Sequence, residues 1–341
     1  MTDTGLVRYV ARRLLLLVPT LIGVLLLVFV VSRVLIPNPA RAWAGPRADE
    51  ETVRKIGERY HLYDPIHIQF WYYLGDLLRG DWGHSPYSGQ PVLRMIGEFF
   101  PATVELAVAA MAISILIGVF LGVVSAANQN KPIDHVSRIF ALFGVASPPF
   151  LTALVIQLVF FYYLGVFPES GGRISYGVEP PEFTTGLFLF DSLITGNWRC
   201  LWDSLNHLIM PSVALALLYF GIATRLTRAS MLEAMRMDYV RMARAKGLPR
   251  TTVIYRHALR NALIPTTSVM TVMFAYMLGG SVVTETIFSW PGVGRYAATS
   301  ILNLEYPAVM GVTLIFALSV ILVNLLADIL YVFLDPRITL R

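Results

Sequence analysis

Charge and cysteine are scarce in this sequence. Only 14% of its 341 residues are Asp, Glu, Lys or Arg, against 56% hydrophobic, and the mean hydropathy is +0.62. A soluble chain of this length must cover its surface with polar side chains, so composition places this one in the membrane class. The single cysteine, Cys200, excludes an intrachain disulfide and any cysteine-based zinc site. There is no Walker lysine motif, no His-Glu-x-x-His and no Gly-x-Ser-x-Gly, so no catalytic residue is expected. His61, His67, His84, His135, His207 and His257 are scattered. Each reads as a surface or interface residue, no metal site is expected, and His207 is the one expected to have a structural partner. No low-complexity run and no solenoid-length repeat occurs.

What the chain does have is long apolar runs. A bilayer core of about 30 Å needs about 20 helical residues. Six uncharged stretches meet that length: Leu14–Ser32, Leu106–Ala127, Ile139–Pro168, Leu205–Thr224, Asn261–Thr284 and Tyr306–Ala327. The third is overlong and contains Ser147-Pro148-Pro149; its span is expected to begin near that pair. Pro19 and Pro211 are read as lying near helix starts, where a missing N–H costs little. The first stretch follows Arg8, Arg12 and Arg13 like a signal peptide, but at 19 residues it exceeds the roughly 7–15 of a signal core. It is read as a retained helix.

Lysine and arginine fix the expected orientation. The loop from Arg225 to Arg260 holds nine basic residues against Glu233 and Asp238. The N-terminal tail, the loop Asn128–Arg138 and the C-terminal tail are basic too, and lie on the same side if there are six spans. That side is cytoplasmic. The expectation is an all-α integral membrane protein, multi-pass in the cell's inner membrane, with six transmembrane helices and both termini cytoplasmic. Residues 1–104 would form a first helix plus a long extracytoplasmic loop. Residues 105–341 would form a five-helix core that contains the cytoplasmic loop 225–260. A second long outer loop covers Glu169–Ser204. In the first, an apolar segment near Ile66–Leu78 with Trp71, Tyr72 and Tyr73 predicts a short helix on the outer membrane surface.

The loop 225–260 carries more design than a topology signal needs. Ala229 to Lys246 are good helix formers, with Leu232, Met235, Tyr239 and Met242 as one apolar stripe. Gly247 ends that helix, because glycine takes the left-handed cap conformation cheaply. Leu248 is pushed to extended geometry by Pro249, which opens the next helix. Three readings compete: a charged loop that touches anionic lipid, a DNA-binding helix-turn-helix, and a docking element for a cytoplasmic protein. Tethering to membrane helices at both ends leaves little freedom to enter a DNA groove, so no nucleic-acid partner is expected. The glycine-terminated helix favours docking over bare charge.

The stretch "DYVRMARAKGLPRTTVIYRHALRNALIP" from Asp238 resembles the coupling loop of ABC importer permeases, specifically the dipeptide/oligopeptide branch. So do "YVARRLLLLVPTLIGVLLLVFV" at Tyr9, "GDWGHS" at Gly80, "PATVELA" at Pro101, "ASPPF" at Ala146, "HLIMPSVALAL" at His207, "TETIFSWPGVGR" at Thr284 and "VNLLADILYVFLDPRI" near the end. Order and spacing together cover nearly the whole chain. The broader motif reads Glu-Ala-Ala, three residues, then Gly; counted back from Gly247, its first three positions hold Arg241, Met242 and Ala243, which is similar to the peptide branch. That departure puts in doubt any role taken from the motif's glutamate.

The resemblance implies an ATP-driven permease subunit with a second permease (a heterodimer), two cytoplasmic ATPase subunits and an extracytoplasmic substrate-binding protein. It implies ATP and magnesium on the ATPase subunits and no cofactor on this chain. Arg241, Ala243, Arg244, Lys246, Gly247, Leu248 and Pro249 would couple to the ATPase. Peptides lead as substrate; nickel, glutathione and oligosaccharides are served by the same branch. An ion-coupled carrier, the alternative, would keep ionisable groups inside its spans. Here only Asp328 and Glu105 lie near span ends, at positions expected to reach water or headgroups. A membrane-anchored scaffold is the other alternative.

In the fifth stretch, Met270, Met273 and Met277 share a helical face with Thr266 and Thr284. That flexible, polarisable stripe would border the substrate route. Ordinary packing is the competing reading. Ser268, Val272, Ala275 and Gly279 form a smaller face, expected to pack within the subunit. Gly118 and Gly122 form a GxxxG pair assigned to helix packing.

Overall fold

The computed structural model describes residues 3–334 apart from Leu35. Their regular elements are helices, joined by turns and by one long irregular segment, residues 164–187. In chain order the helices are α1 (Asp3–Arg33), α2 (Pro39–Ala44), α3 (Glu50–Arg59), α4 (Ile66–Leu78), α5 (Val92–Ala127), α6 (Pro132–Ala146) and α7 (Pro149–Ile156), the last extended by a π-helical turn over Gln157–Tyr163. Then come α8 (Phe188–Thr195), α9 (Trp198–Ala234), α10 (Asp238–Ala245) and α11 (Arg250–Thr252). A π-helical stretch, Val253–Ala258, leads into α12 (Leu259–Gly280), followed by α13 (Val282–Ile287), α14 (Val293–Leu302) and α15 (Tyr306–Leu334).

Among the described residues, five helical segments are long and apolar enough to cross a membrane: Leu15–Arg33, Val92–Ala127, Trp198–Ala234, Arg250–Gly279 and Tyr306–Ile329. The expected third span is two helices, α6 and α7 with its π turn, bent by 106° between them. Proline explains the break. Pro148 has no N–H to donate and Ser147 before it is extended (ψ 130°), so the helix stops and restarts at Pro149.

Helices also run further than hydropathy suggested. Pro19 and Pro211 lie inside α1 and α9, not at their starts, because each helix begins more than two turns earlier. The division placed after residue 104 falls inside α5.

The core forms where α5 and α9 cross. A Cβ on Gly118 would sit 2.4 Å from the Ala223 methyl, and one on Gly122 2.6 Å from Thr227. Only glycine allows this approach, which is the packing role expected of the GxxxG pair. Ser114 reinforces the crossing, donating to the Ala216 carbonyl at 3.2 Å. At the far end from α10, helices α2 to α4 pack on α1 and α15 through Phe29, Trp43, Tyr60, Tyr73 and Leu314. α4 matches the expected helix, and Trp71, Tyr72 and Leu78 are exposed along it.

Candidate coupling surface and route

Residues 229–246 were expected as one helix. Instead α9 stops at Ala234, and Met235, Arg236 and Met237 make a turn before α10. No glycine or proline announces that break. α10 packs its Val240 and Ala243 side chains, at 0% and 5% exposure, against Val123 and Ala126 of α5 and Met231 of α9. Burial of a valine of this kind stabilises by roughly 1.5–3 kcal/mol. Ala243 therefore serves the attachment of α10 to its own chain.

The end of α10 is built as the sequence indicates. Gly247 is left-handed at φ +73°. Its N–H donates to the Arg244 carbonyl at 2.9 Å, and the Leu248 N–H to the Ala243 carbonyl at 3.4 Å. This is a Schellman cap, and Pro249 follows in extended geometry (ψ 146°). No atom lies within 4 Å of where a Gly247 Cβ would be, so the glycine faces open space. Arg241, Arg244 and Lys246 are exposed, as are Met237, Met242 and Leu248. Arg241 meets Asp238 at 3.6 Å, but both are solvated, and such a pair contributes little. The segment thus offers basic and apolar side chains on a mount fixed from beneath.

Sequence reasoning missed what fixes that mount. Asp134, fully buried at the start of α6, takes a two-point contact from Arg228 of α9, Nε and Nη2 each at 2.8 Å. Ser125 of α5 donates to the same carboxylate at 2.5 Å and the Asn130 N–H at 2.9 Å. One carboxylate ties three elements. A basic residue inside a helix facing an acid 94 positions earlier leaves no local signal.

The far end is tied by more carboxylates. Glu105 was expected to reach water; it is 8% exposed and buried against Arg173, whose Nη2 donates at 2.6 Å. The Leu189 N–H donates to its other oxygen at 2.7 Å, and Arg173 lies 3.7 Å above the Phe188 ring. Burial pulls the Arg173 guanidinium below its ordinary value, and Glu105 opposes that shift. Nearby, Asp191 would be raised by burial. Hydrogen bonds from Thr185, Gly186 and Thr184 outweigh that and hold it below the usual carboxylate range.

Glu285, wholly buried, accepts from Thr103 at 2.9 Å, Ser281 at 2.6 Å and the Arg295 N–H at 2.9 Å. A Cβ on Gly292 would lie 2.4 Å from the Glu285 carboxylate, so the Pro291-Gly292 turn closes on it. Trp290 donates to the Ala102 carbonyl at 2.9 Å. Ser85 of the first loop donates to Glu305, joining both ends of the chain. His207 finds the partner expected of it, the Asp203 carbonyl at 2.8 Å.

On α12 the small face is divided: Ala275 is buried, Ser268 and Gly279 are half-buried and Val272 is exposed. Met270 and Met277 are the residues closed into the core with α5 and α9, at 2% and 0% exposure, and Met273 is half-buried. Ala275 is buried with them, but Val272 and Tyr276 are exposed, and a Cβ on Gly279 would meet nothing within 4 Å. The reason is volume. α5 and α9 meet through alanines and glycines, and the irregular space beside that crossing takes long flexible side chains.

Among the described residues no cluster of His, Cys, Asp and Glu could hold a metal. Residues 114–340 match the family described as binding-protein-dependent transport system inner membrane component. This chain belongs to that family.

Relatives of this inner membrane component align over nearly all of it. It is 41% identical to the probable D,D-dipeptide transport system permease protein of Escherichia coli (strain K12) over 322 residues, 94% of each chain. It is 42% identical to the dipeptide transport system permease protein of Alkalihalophilus pseudofirmus, over 97% of this chain and 98% of that one. A glutathione transport system permease protein of Salmonella typhimurium is 34% identical over 98% of this chain and 99% of its own length. Among solved structures, an amino acid ABC transporter crystallised with histidines aligns with TM-score 0.50 at 15% identity, over 70% of this chain and 94% of that one. That likeness is one of fold.

Proposed function

We propose that this inner membrane component is the permease subunit of an ATP-driven importer for di- or oligopeptides. It crosses the membrane six times, the bent α6–α7 pair being the third crossing, with both termini and α10 in the cytoplasm. It works with a second permease subunit, two cytoplasmic ATPase subunits and an extracytoplasmic binding protein. The observation that carries the reading is the α10 knob: a Schellman-capped helix fixed to α5 and α9 that turns Arg241, Arg244, Lys246 and Leu248 outward. A rigid element of this kind transmits movement of a partner to the helices on either side. ATP and magnesium belong on the ATPase, and this chain supplies the knob and the route.

The dipeptide relatives support the substrate class. Glutathione is a second reading, favoured by the 34% identical relative. The route runs along the open face of α12, past Val272, Tyr276 and Gly279, against the second permease. Met270 and Met277 back that face from within, and Met273 lies at its edge. Reconstituted complex with labelled dipeptide tests the substrate. Uptake competed by excess dipeptide but not by glutathione is expected; the reverse pattern would make this a glutathione permease. Single cysteines at 272, 276 and 279 should change accessibility between nucleotide-free and ATP-locked states, while 270 and 277 stay protected.

A further inference from the structure

Beside α10 lies a groove of about 500 Å³ that the knob alone does not account for. Lys131, Arg244 and Arg250 stand around it, and Met235, Leu248 and Ile254 give it an apolar wall. Its described lining contains no Asp or Glu. Arg250 donates to the Ala127 carbonyl at 2.5 Å, so the turn after α5 and the segment after α10 are already held together as its two sides. Lys131 is exposed and pairs with no acid among the described residues.

Three cations converging without a counter-charge select an anionic occupant, either a phospholipid headgroup or an acidic protein segment. Depth decides between them. Trp198 and Trp202, exposed at the start of α9, suit the far headgroup level. From Trp202, a core of about 30 Å uses about 20 residues, reaching about residue 222. Met235 in the groove wall lies about 13 residues further, or about 20 Å beyond the core. That is past the headgroups and level with the knob, with which the groove shares Arg244 and Leu248.

We propose that the groove receives an acidic segment of the ATPase subunit, a carboxylate between Lys131, Arg244 and Arg250 and an apolar neighbour against Leu248 and Met235. This rests on the coupling reading above and extends it: the turn 128–131 between α5 and α6 becomes a second contact. The ATPase then grips two chain segments at once, so the grip reports their relative position.

Lys131→Glu in the full complex tests it. The position precedes the first turn of α6, where a negative charge favours the helix, so folding is not at risk. The expected result is an ATPase affinity at least about tenfold lower, with Lys131→Met intermediate, and a photocrosslinker at Gln129 that captures the ATPase chain. Gly247→Trp is the companion variant. If it loses the ATPase while Lys131→Glu keeps wild-type affinity and Gln129 captures only lipid, the knob reading stands and the groove proposal is overturned. If Gly247→Trp also binds normally, the coupling reading itself fails.

Discussion

The two ends of the bundle are held together by different means. The α10 end depends on small apolar side chains and one buried carboxylate, Asp134, while its cations point outward. At the far end, Glu105, Asp191, Glu285 and Glu305 are each buried; Glu105, Glu285 and Glu305 are met by donors from distant segments, and Asp191 by the turn just before its own helix. A buried carboxylate is costly unless its hydrogen bonds are complete, and completing them fixes the loops that supply the donors. The far end is thus a closed lattice of loops. The α10 end is a mount whose remaining charge is left for something outside the chain.

Asp134→Ala gives the largest expected effect. It leaves Arg228 unpaired within the bundle and should cost about 3–5 kcal/mol, read as a lower unfolding midpoint in detergent. Arg173→Met should cost less, because Glu105 keeps the Leu189 N–H. Equal losses would mean that the far end is no more redundant than the other. Gly292→Ala comes next: its methyl would meet the Glu285 carboxylate, and overpacking of this kind costs roughly 1–3 kcal/mol. Gly247→Ala strains only the left-handed cap and should cost about 1 kcal/mol. The bulky Gly247→Trp, facing open space in this chain, should stay in the membrane yet lose ATPase copurification and substrate uptake.

The smallest effect is one of pH. The Asp191 carboxyl is held below its unfolded value of about 3.9, so its contribution is complete above that pH and is lost as pH falls through the lower folded value. Proteolysis of residues 174–187 should accelerate below about pH 4 and stay flat between pH 5 and 8. A change within the latter window would assign the loop's order to another group.

Much of the membrane architecture was legible because apolar runs and proline act locally. The Gly247 cap could be read to the residue, and the prolines at 148 and 149 marked where a new helix begins. What stayed hidden depends on partners far along the chain. Glu105 looked like a span end and Arg228 like part of the basic loop because each is charged, and only Arg173 and Asp134, 68 and 94 positions away, make them tolerable inside helices. The break at Met235–Met237 had no breaker residue. On α12 spacing grouped Met270 with Met277, but Ala275 of the other face is buried with them, and which side chains turn inward depends on the neighbouring helices α5 and α9, which spacing does not encode.

One feature of α9 has mechanical weight. Its 37 residues make an unbroken rod of about 55 Å, nearly twice the thickness of a hydrocarbon core. The rod is gripped about two-thirds of the way along, where Gly118 and Gly122 of α5 bear on Phe220, Ala223 and Thr227. That grip is a fulcrum. Rocking the rod by about 5° about it carries the Trp198 end sideways by roughly 3 Å and the Ala234 end by about 1.5 Å, in opposite directions, with no bond in the helix stretched. A shove on the turn after Ala234 therefore arrives at Trp198 reversed in sign.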